Sequence, residues 1–574
     1  MSTHLTLAAS PGRRILLAVT GLLTAALLTW THAWSLGTGT HGLAPIFFWL
    51  FAVGDDAGFQ CALLVILAAA LLPSRYPTKP LLQWIGRHPG WIAAASAAIL
   101  SCGTWAVYLN SPLSMDEYAA FFQSQVFAAG HIGGQFPPAL LDWLIPRGFQ
   151  DYFLNVTAAG RVTSAYWPSF ALVLTPFTWL GIPWACNPVL SALTILSVHR
   201  LALRTFEDRE AAGLAVLLTA ASPVFFADGI SYYSMSAHLL ANTLFALLLI
   251  APTPRRAFSA GLVGSIALTL HNPVPHLLFA LPWIVAIFRR TGGWRLGLSL
   301  FAGYLPLCLL LGLGWFLWTA PSGGSITQLT SPFALPSSTV VLARLVGLAK
   351  VWAWAVPGLL VLAAAGAWKW RHDRTCLLLT ASALLTLLGY LFVPVDQGHG
   401  WGYRYFHSAW VALPILAAAA LRRRPASGTG APAPDMPARN IRGDVQGTGI
   451  FEDGATRTFI VACALFSLIG GTGLRAAQIR EFIVRHHSQV PAYSGTEHRV
   501  VILDTRLAFY GRDLVQNDPW LRETAIVMIT HGAAADADMM RAHFPQLHRV
   551  YADRFGSVWS AASMGGAGLS QTSP

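Results

Sequence analysis

Arg13-Arg14 lead into Ile15-Leu-Leu-Ala-Val-Thr-Gly-Leu-Leu-Thr-Ala-Ala-Leu-Leu-Thr-Trp-Thr-His-Ala-Trp34, a run with no Asp, Glu, Lys or Arg. About 20 such residues in a helix span the roughly 30 Å of a bilayer's hydrocarbon core. The run is longer than the apolar core of a cleavable signal peptide, so it reads as a membrane helix. Comparable runs recur as far as Arg422 and once more after Thr456. Over 574 residues the chain is 55% hydrophobic and 11% charged, and its mean hydropathy is +0.53. A soluble domain carries roughly a quarter charged residues, so a soluble fold is excluded.

The formal charge of +12 would suggest nucleic acid in a soluble protein. Here the basic residues stand in short clusters between apolar runs, at Arg13-Arg14, Arg75/Lys79/Arg87, Arg200/Arg204/Arg209, Arg255-Arg256, Arg289-Arg290/Arg295, Lys369/Arg371/Arg374 and Arg422-Arg423-Arg424. Such clusters mark cytoplasmic loops, and no nucleic-acid partner is expected. Alternation about them predicts spans near 15–34, 57–73, 91–109, 186–204, 211–228, 235–251, 258–271, 274–288, 296–318, 341–366, 376–394, 407–421 and 458–474. The expected fold is an all-α polytopic membrane protein of about 13 transmembrane helices. Its N-terminus is cytoplasmic and its place is a bacterial inner membrane. The apolar stretch 165–181 is short and bounded by proline, which suits an interfacial or re-entrant piece.

Three stretches, 110–165, 319–340 and 475–574, are external and too long or polar for mere turns. Residues 1–424 thus form the transmembrane domain, 425–456 a Gly/Pro/Ala-rich cytoplasmic linker, 457–474 the last helix and 475–574 a small external α/β domain. In that domain Val500–Leu503 and Ala525–Ile529 read as buried strands, 536–543 as a helix, and His548–Ala552 and Ser557–Ala561 as further strands. The six cysteines lie in or beside apolar segments without metal or redox spacing, so core thiols and no disulfide framework are expected.

The first external stretch opens on Asn110-Ser-Pro-Leu-Ser-Met-Asp116-Glu117-Tyr118, ahead of an aromatic and aliphatic run suited to a helix lying on the bilayer surface. A carboxylate at that boundary is placed to act on a lipid-borne substrate. Ser114-x-x-Glu117 is also a capping box, and Asp116 would favour the positive end of the helix dipole. Both readings are open for Glu117; capping explains less of Asp116, which the box does not require.

A second constellation is Val395-Asp396-Gln-Gly-His399-Gly-Trp-Gly-Tyr403-Arg404-Tyr405-Phe-His407. Its glycines let backbone approach a ligand, while Arg404, His399, Tyr403 and Tyr405 supply donors to a phosphate or sugar. The alternative is an aromatic belt with Arg404 snorkelling. Weaker candidates are Asp228, His238, His271 and His276, at expected external helix ends. Pairing of His399 with Asp396, or of His271 with His276, would suit a divalent cation, although neither has diagnostic spacing, and no metal ligand is assigned.

The Asp116-Glu117 pair at the start of the first large external loop resembles the membrane glycosyltransferases of the GT-C class, among them the protein O-mannosyltransferases and the bacterial lipid A aminoarabinose transferases. The likeness extends loosely through Gly130-His131, Pro137-Pro138, Tyr166-Trp-Pro-Ser-Phe170, Ser222-Pro223 and Gly402-Tyr-Arg-Tyr405. It implies a GT-C-like fold in which Asp116 is the catalytic base. The chain departs from the pattern in placing two helices ahead of the one that leads into the loop. Its C-terminal domain is small, and it lacks the Trp-Trp-Asp signature of oligosaccharyltransferases. The chain carries no GxGxxG in a strand-turn-helix setting, so the expected donor is a sugar on polyprenyl phosphate, not a nucleotide sugar. The expected partners are that donor, an envelope acceptor (lipid, glycan or protein) and membrane lipid, and one displacement predicts inversion. A transporter or flippase, or a non-catalytic envelope scaffold, is the alternative.

Overall fold

A computed structural model of the chain describes residues 10–73, 76–319, 334–394, 398–423, 450–493 and 497–561. Residues 425–449 of the expected linker therefore lie outside the described residues, as does Asp396. Among those described, six helices are long and apolar enough to cross a membrane: Pro11–Leu36, Pro45–Leu71, Pro183–Phe206, Gly293–Thr319, Arg374–Phe392 and Gly454–His487. Arg209–Ala220 and Pro223–Ile230, bent by 60° at their junction, make a seventh if counted as one span. Shorter apolar helices such as Met235–Leu249 and Val274–Phe288 fill the bundle. Leucines exposed along its sides, Leu22, Leu71, Leu305 and Leu310 among them, are suited to lipid contact.

The thirteen expected spans are thus matched only in part. The stretch 341–366 is two helices, Ser338–Ala353 and Leu359–Lys369, because Pro357 removes a donor and Gly358 turns the chain at φ +91°. The segment 165–181 holds a helix of 11 residues, Ser169–Trp179, too short to cross. Three of the six free cysteines, Cys186, Cys376 and Cys463, are core thiols as expected, whereas Cys102 is exposed.

Two helix limits differ from expectation for one reason. The second helix begins at Pro45 and not near 57, and the last continues to His487, well past Arg475. Asp55 and Arg475 read as polar ends, but they neutralise each other inside the bundle. The Asp55 carboxylate accepts from Lys350 Nζ at 2.7 Å and Trp354 Nε1 at 2.7 Å, and meets Arg475 at 2.9 Å. All three charged side chains are buried. A lone buried charge would cost several kcal/mol, and the contacts of Asp55 with the two cations offset part of that cost while tying three helices together. Gly58 makes room for it: a Cβ there would stand 2.1 Å from the Arg475 guanidinium.

The helix Met115–Ala128 carries the acidic pair, and its apolar residues are covered by protein. Met115, Tyr118, Ala119, Phe122 and Val126 are buried against the C-terminal domain, in one core with Val500, Ile502, Ile526 and Met528. That domain is a four-stranded sheet in the order Ala525–Ile529, Arg499–Leu503, Gly556–Ser560, His548–Asp553. The first pair is parallel and connected through residues 504–524, which hold the short turn Gly511–Leu514, and the helix Ala533–His543 leads on to the strand His548–Asp553; the other pairs are antiparallel. These elements match expectation closely, because alternating apolar residues cover both faces: Val501, Leu503 and Val558 pack with Val515 on the side away from the acidic helix.

Candidate active site

Asp116 stands one residue into its helix, at the edge of a cavity of about 200 Å³. One carboxylate oxygen pairs with Arg404 at 2.9 Å, and the other accepts from the Tyr166 hydroxyl. Residues 288 positions apart are thus joined at one wall. His271 lies on the Tyr166 ring, with centroids 4.1 Å apart, and the Arg404 guanidinium sits 4.7 Å above the Tyr233 ring. Burial pushes Asp116 up, but Arg404, His271 and the Tyr166 hydroxyl outweigh it and hold the carboxyl below its ordinary value. Burial lowers His271 to about 4, so its ring is neutral at pH 7.

Arg404 reaches Asp116 through a tight hairpin. His399 pairs with Tyr403 and Gly400 with Gly402, and a one-turn helix, Arg404–His407, follows. Gly402 has φ +83°, and a Cβ there would stand 2.7 Å from Val224. Only glycine meets both conditions without strain. The hairpin sends His399, Trp401 and Arg404 to the cavity. Tyr405 stacks instead on Tyr390 at 4.0 Å under the Arg344 guanidinium, and Tyr403 fills the space beside Gly347. Neither tyrosine lines the cavity, so of the four expected donors only Arg404 and His399 do.

Glu117 points away from the cavity and is fully buried. Its carboxylate accepts from the Tyr108 hydroxyl (2.8 Å) and from the N–H groups of Leu113 (2.8 Å), Ser114 (3.2 Å) and Tyr232 (2.8 Å). Burial pushes it up to about 7 against the pull of those donors. The capping contact is present, but the greater role is to pin three segments behind Asp116.

The weaker candidates separate. Asp228 meets His407 at 2.8 Å inside the bundle, and both are buried. His238 is buried, and neither of its ring nitrogens makes a hydrogen bond. His276 has both nitrogens engaged, by Asn242 and Tyr304 at 2.7 Å each, so it does not form the pair with His271 considered for a cation. Among the described residues no cluster of three or more His, Cys, Asp or Glu has a metal-holding arrangement.

Most of the rest of the wall was not marked by any local pattern. Phe47 and Leu50 come from the second helix, Phe482 and His486 from the last, and Tyr510 and Asp513 from the C-terminal domain. A larger recess of about 710 Å³ adjoins the cavity and shares Leu50, Trp401, Phe482 and His486 with it.

No family model matches the chain, and no curated protein matches it. Its structure is similar to two crystal structures of ArnT from Cupriavidus metallidurans, one bound to undecaprenyl phosphate and one in the apo state, at 13% identity each, with TM-scores of 0.49 and 0.48, over 83% and 82% of this chain and 98% and 97% of theirs.

Proposed function

We propose that the chain is a glycosyltransferase moving a sugar from a polyprenyl-phosphate donor to an envelope acceptor at the external face of the membrane, with inversion. The observation that carries this reading is the ion pair of Asp116 and Arg404 on the wall of one cavity. Each partner suits one half of such a reaction. Asp116, held low by its neighbours, is ionised at neutral pH and can accept a proton once their hold on it is loosened. Arg404 offers a planar fork that fits a phosphate, with His399 beside it on the wall.

In the proposed step the acceptor oxygen or nitrogen attacks the anomeric carbon while Asp116 takes its proton. The bond from that carbon to the lipid phosphate breaks, and its electron pair leaves with the phosphate, which Arg404 stabilises. The base is worth about 10²–10⁴-fold and a preorganised donor to the leaving charge about 10²–10³-fold. The resting ion pair also couples the two halves. A donor phosphate that draws on Arg404 weakens its hold on Asp116, which becomes the stronger base only once the donor is bound. The recess walled by Trp49, Val53 and Phe509 gives the lipid chain a way in.

The test is to incubate purified protein with radiolabelled polyprenyl-phosphate sugars and membrane extract, and follow label leaving the lipid. Arg404→Ala is expected to weaken donor use more than Arg404→Lys, because lysine keeps the charge and loses only the fork. Absence of transfer from every donor, or equal donor use in wild type and Arg404→Ala, would overturn the assignment.

A further inference from the structure

One acidic side chain of the cavity belongs to neither the ion pair nor the buried Glu117 network. Asp513 sits in a short helical turn, Gly511–Leu514, of the C-terminal domain, and lines the cavity beside Tyr510. Its carboxylate accepts no hydrogen bond and meets no cation among the described residues. The neighbouring acidic side chains have partners: Asp116 has Arg404, and Glu117, behind the wall, has four donors.

The place of Asp513 is set with care by the fold. Tyr510 takes a left-handed conformation at φ +55°, uncommon for a non-glycine residue, and Gly511 follows where a Cβ would stand 2.4 Å from Ala508. On the far side of the turn the chain is bolted to the acidic helix. Gln516 donates to the Pro112 carbonyl at 3.1 Å, and the Asn517 N–H donates to the Tyr118 hydroxyl at 2.9 Å, while that hydroxyl donates to the Asn517 carbonyl. Tyr118 is two residues from Asp116. The separation of Asp513 from the proposed base is thus determined by bonded contacts and not by a loose domain resting on the bundle. Burial, with Asp116 and Glu117 nearby, pushes Asp513 up to about 7, the mark of a carboxyl lacking a counter-charge.

We propose that Asp513 reads the acceptor: it accepts hydrogen bonds from a hydroxyl-bearing group without negative charge and turns away phosphorylated or carboxylated ones. The proposal rests on the transfer reading above and assigns the C-terminal domain its part in it. The donor already brings one phosphate to the Arg404 side of a cavity of about 200 Å³. Above about pH 7, where Asp513 is mostly ionised, a second anion would meet a carboxylate with no cation of its own, whereas a hydroxyl donor would satisfy it.

The experiment uses the full chain in nanodiscs with radiolabelled polyprenyl-phosphate sugars, and membrane lipid extract split by anion exchange into a neutral and an acidic acceptor pool. Wild type is expected to label the neutral pool. Asp513→Asn, which keeps hydrogen bonding and removes the charge, is expected to lower the neutral-to-acidic labelling ratio by about tenfold or more. Asp513→Ala is expected to raise the half-saturating amount of neutral pool about tenfold at unchanged half-saturation for donor, a split that loss of packing alone would not produce. Preferential labelling of the acidic pool by wild type, or an unchanged ratio in Asp513→Asn, overturns the proposal. A second measurement does not depend on transfer: modification of Asp513 by dicyclohexylcarbodiimide, quantified by mass spectrometry, should be blocked by the neutral pool and not by the acidic one. Protection without any transfer would sink the glycosyltransferase reading alone. Protection by neither pool, or by the acidic pool, would sink the role of Asp513.

Discussion

Asp116 differs from an ordinary helix-start aspartate in having a cation and a tyrosine on its two oxygens. An exposed cap would lose at most about 1 kcal/mol on becoming asparagine. Here Asp116→Asn removes the carboxylate charge that faces Arg404, so a loss of about 1–3 kcal/mol is expected along with a fall in transfer of about 10²-fold or more. The double variant Asp116→Asn/Arg404→Gln separates the two effects: it should recover the thermal midpoint in detergent and not the turnover. Recovered turnover would end the role of Asp116 as base. Glu117→Gln gives the converse result. A simple capping box tolerates glutamine, but an amide cannot accept from four donors at once. The variant should lose about 1–3 kcal/mol in thermal or denaturant assays while the folded fraction keeps near-normal turnover. The residue types in both motifs were legible from the chain alone. That Asp116 faces the cavity and Glu117 the interior was not, since adjacent positions on a helix differ by about 100° and nothing local says which one turns inward.

Helices were legible where apolar runs ended in loops and misread where a charge lay inside one. Asp55 and Arg475 each look like the end of a span until Lys350, nearly 300 residues from Asp55, completes the triad. Breaking a buried pair on one side is costly because the partner stays charged and unpaired. Asp55→Asn, which strands both Lys350 and Arg475, is expected to cost about 3–5 kcal/mol or to abolish accumulation of folded protein. The check is detergent-solubilised yield and thermal midpoint. Because the triad holds the helices that bear Phe47, Leu50, Phe482 and His486, any protein that survives should also bind donor less tightly. A neutral response would mean that the three charges are solvated and that the bundle is held by packing alone.

For the whole molecule, we propose from the positions of the basic clusters that the turn at Glu207 faces the cytoplasm and the C-terminal domain the outside. Both probe positions are exposed, Glu207 in its turn and Asp538 on the domain's helix. Single cysteines introduced there, in a background lacking the native six, should react with an impermeant maleimide from opposite sides: only the Asp538 position in right-side-out vesicles, and the Glu207 position after the membrane is opened. Labelling of both from one side would contradict the orientation.

Membrane residence, the strand and helix pattern of the C-terminal domain, and the choice of Asp116, Arg404 and His399 as candidates all followed from the chain itself. Each depends on composition, on periodicity or on a residue type in a short local pattern, which are properties of neighbours in sequence. Five findings needed the folded chain: the limits of the second and last helices, the burial of the acidic helix under the C-terminal sheet, the turn of Glu117 away from the site, the exclusion of Tyr403 and Tyr405 from the cavity, and the arrival of Asp513. Each depends on a partner hundreds of residues away or on which side of an element is covered. Where the protein resides is a matter of average polarity, whereas the site is made by compensation of individual charges, and only tertiary contacts decide which charge is compensated by which.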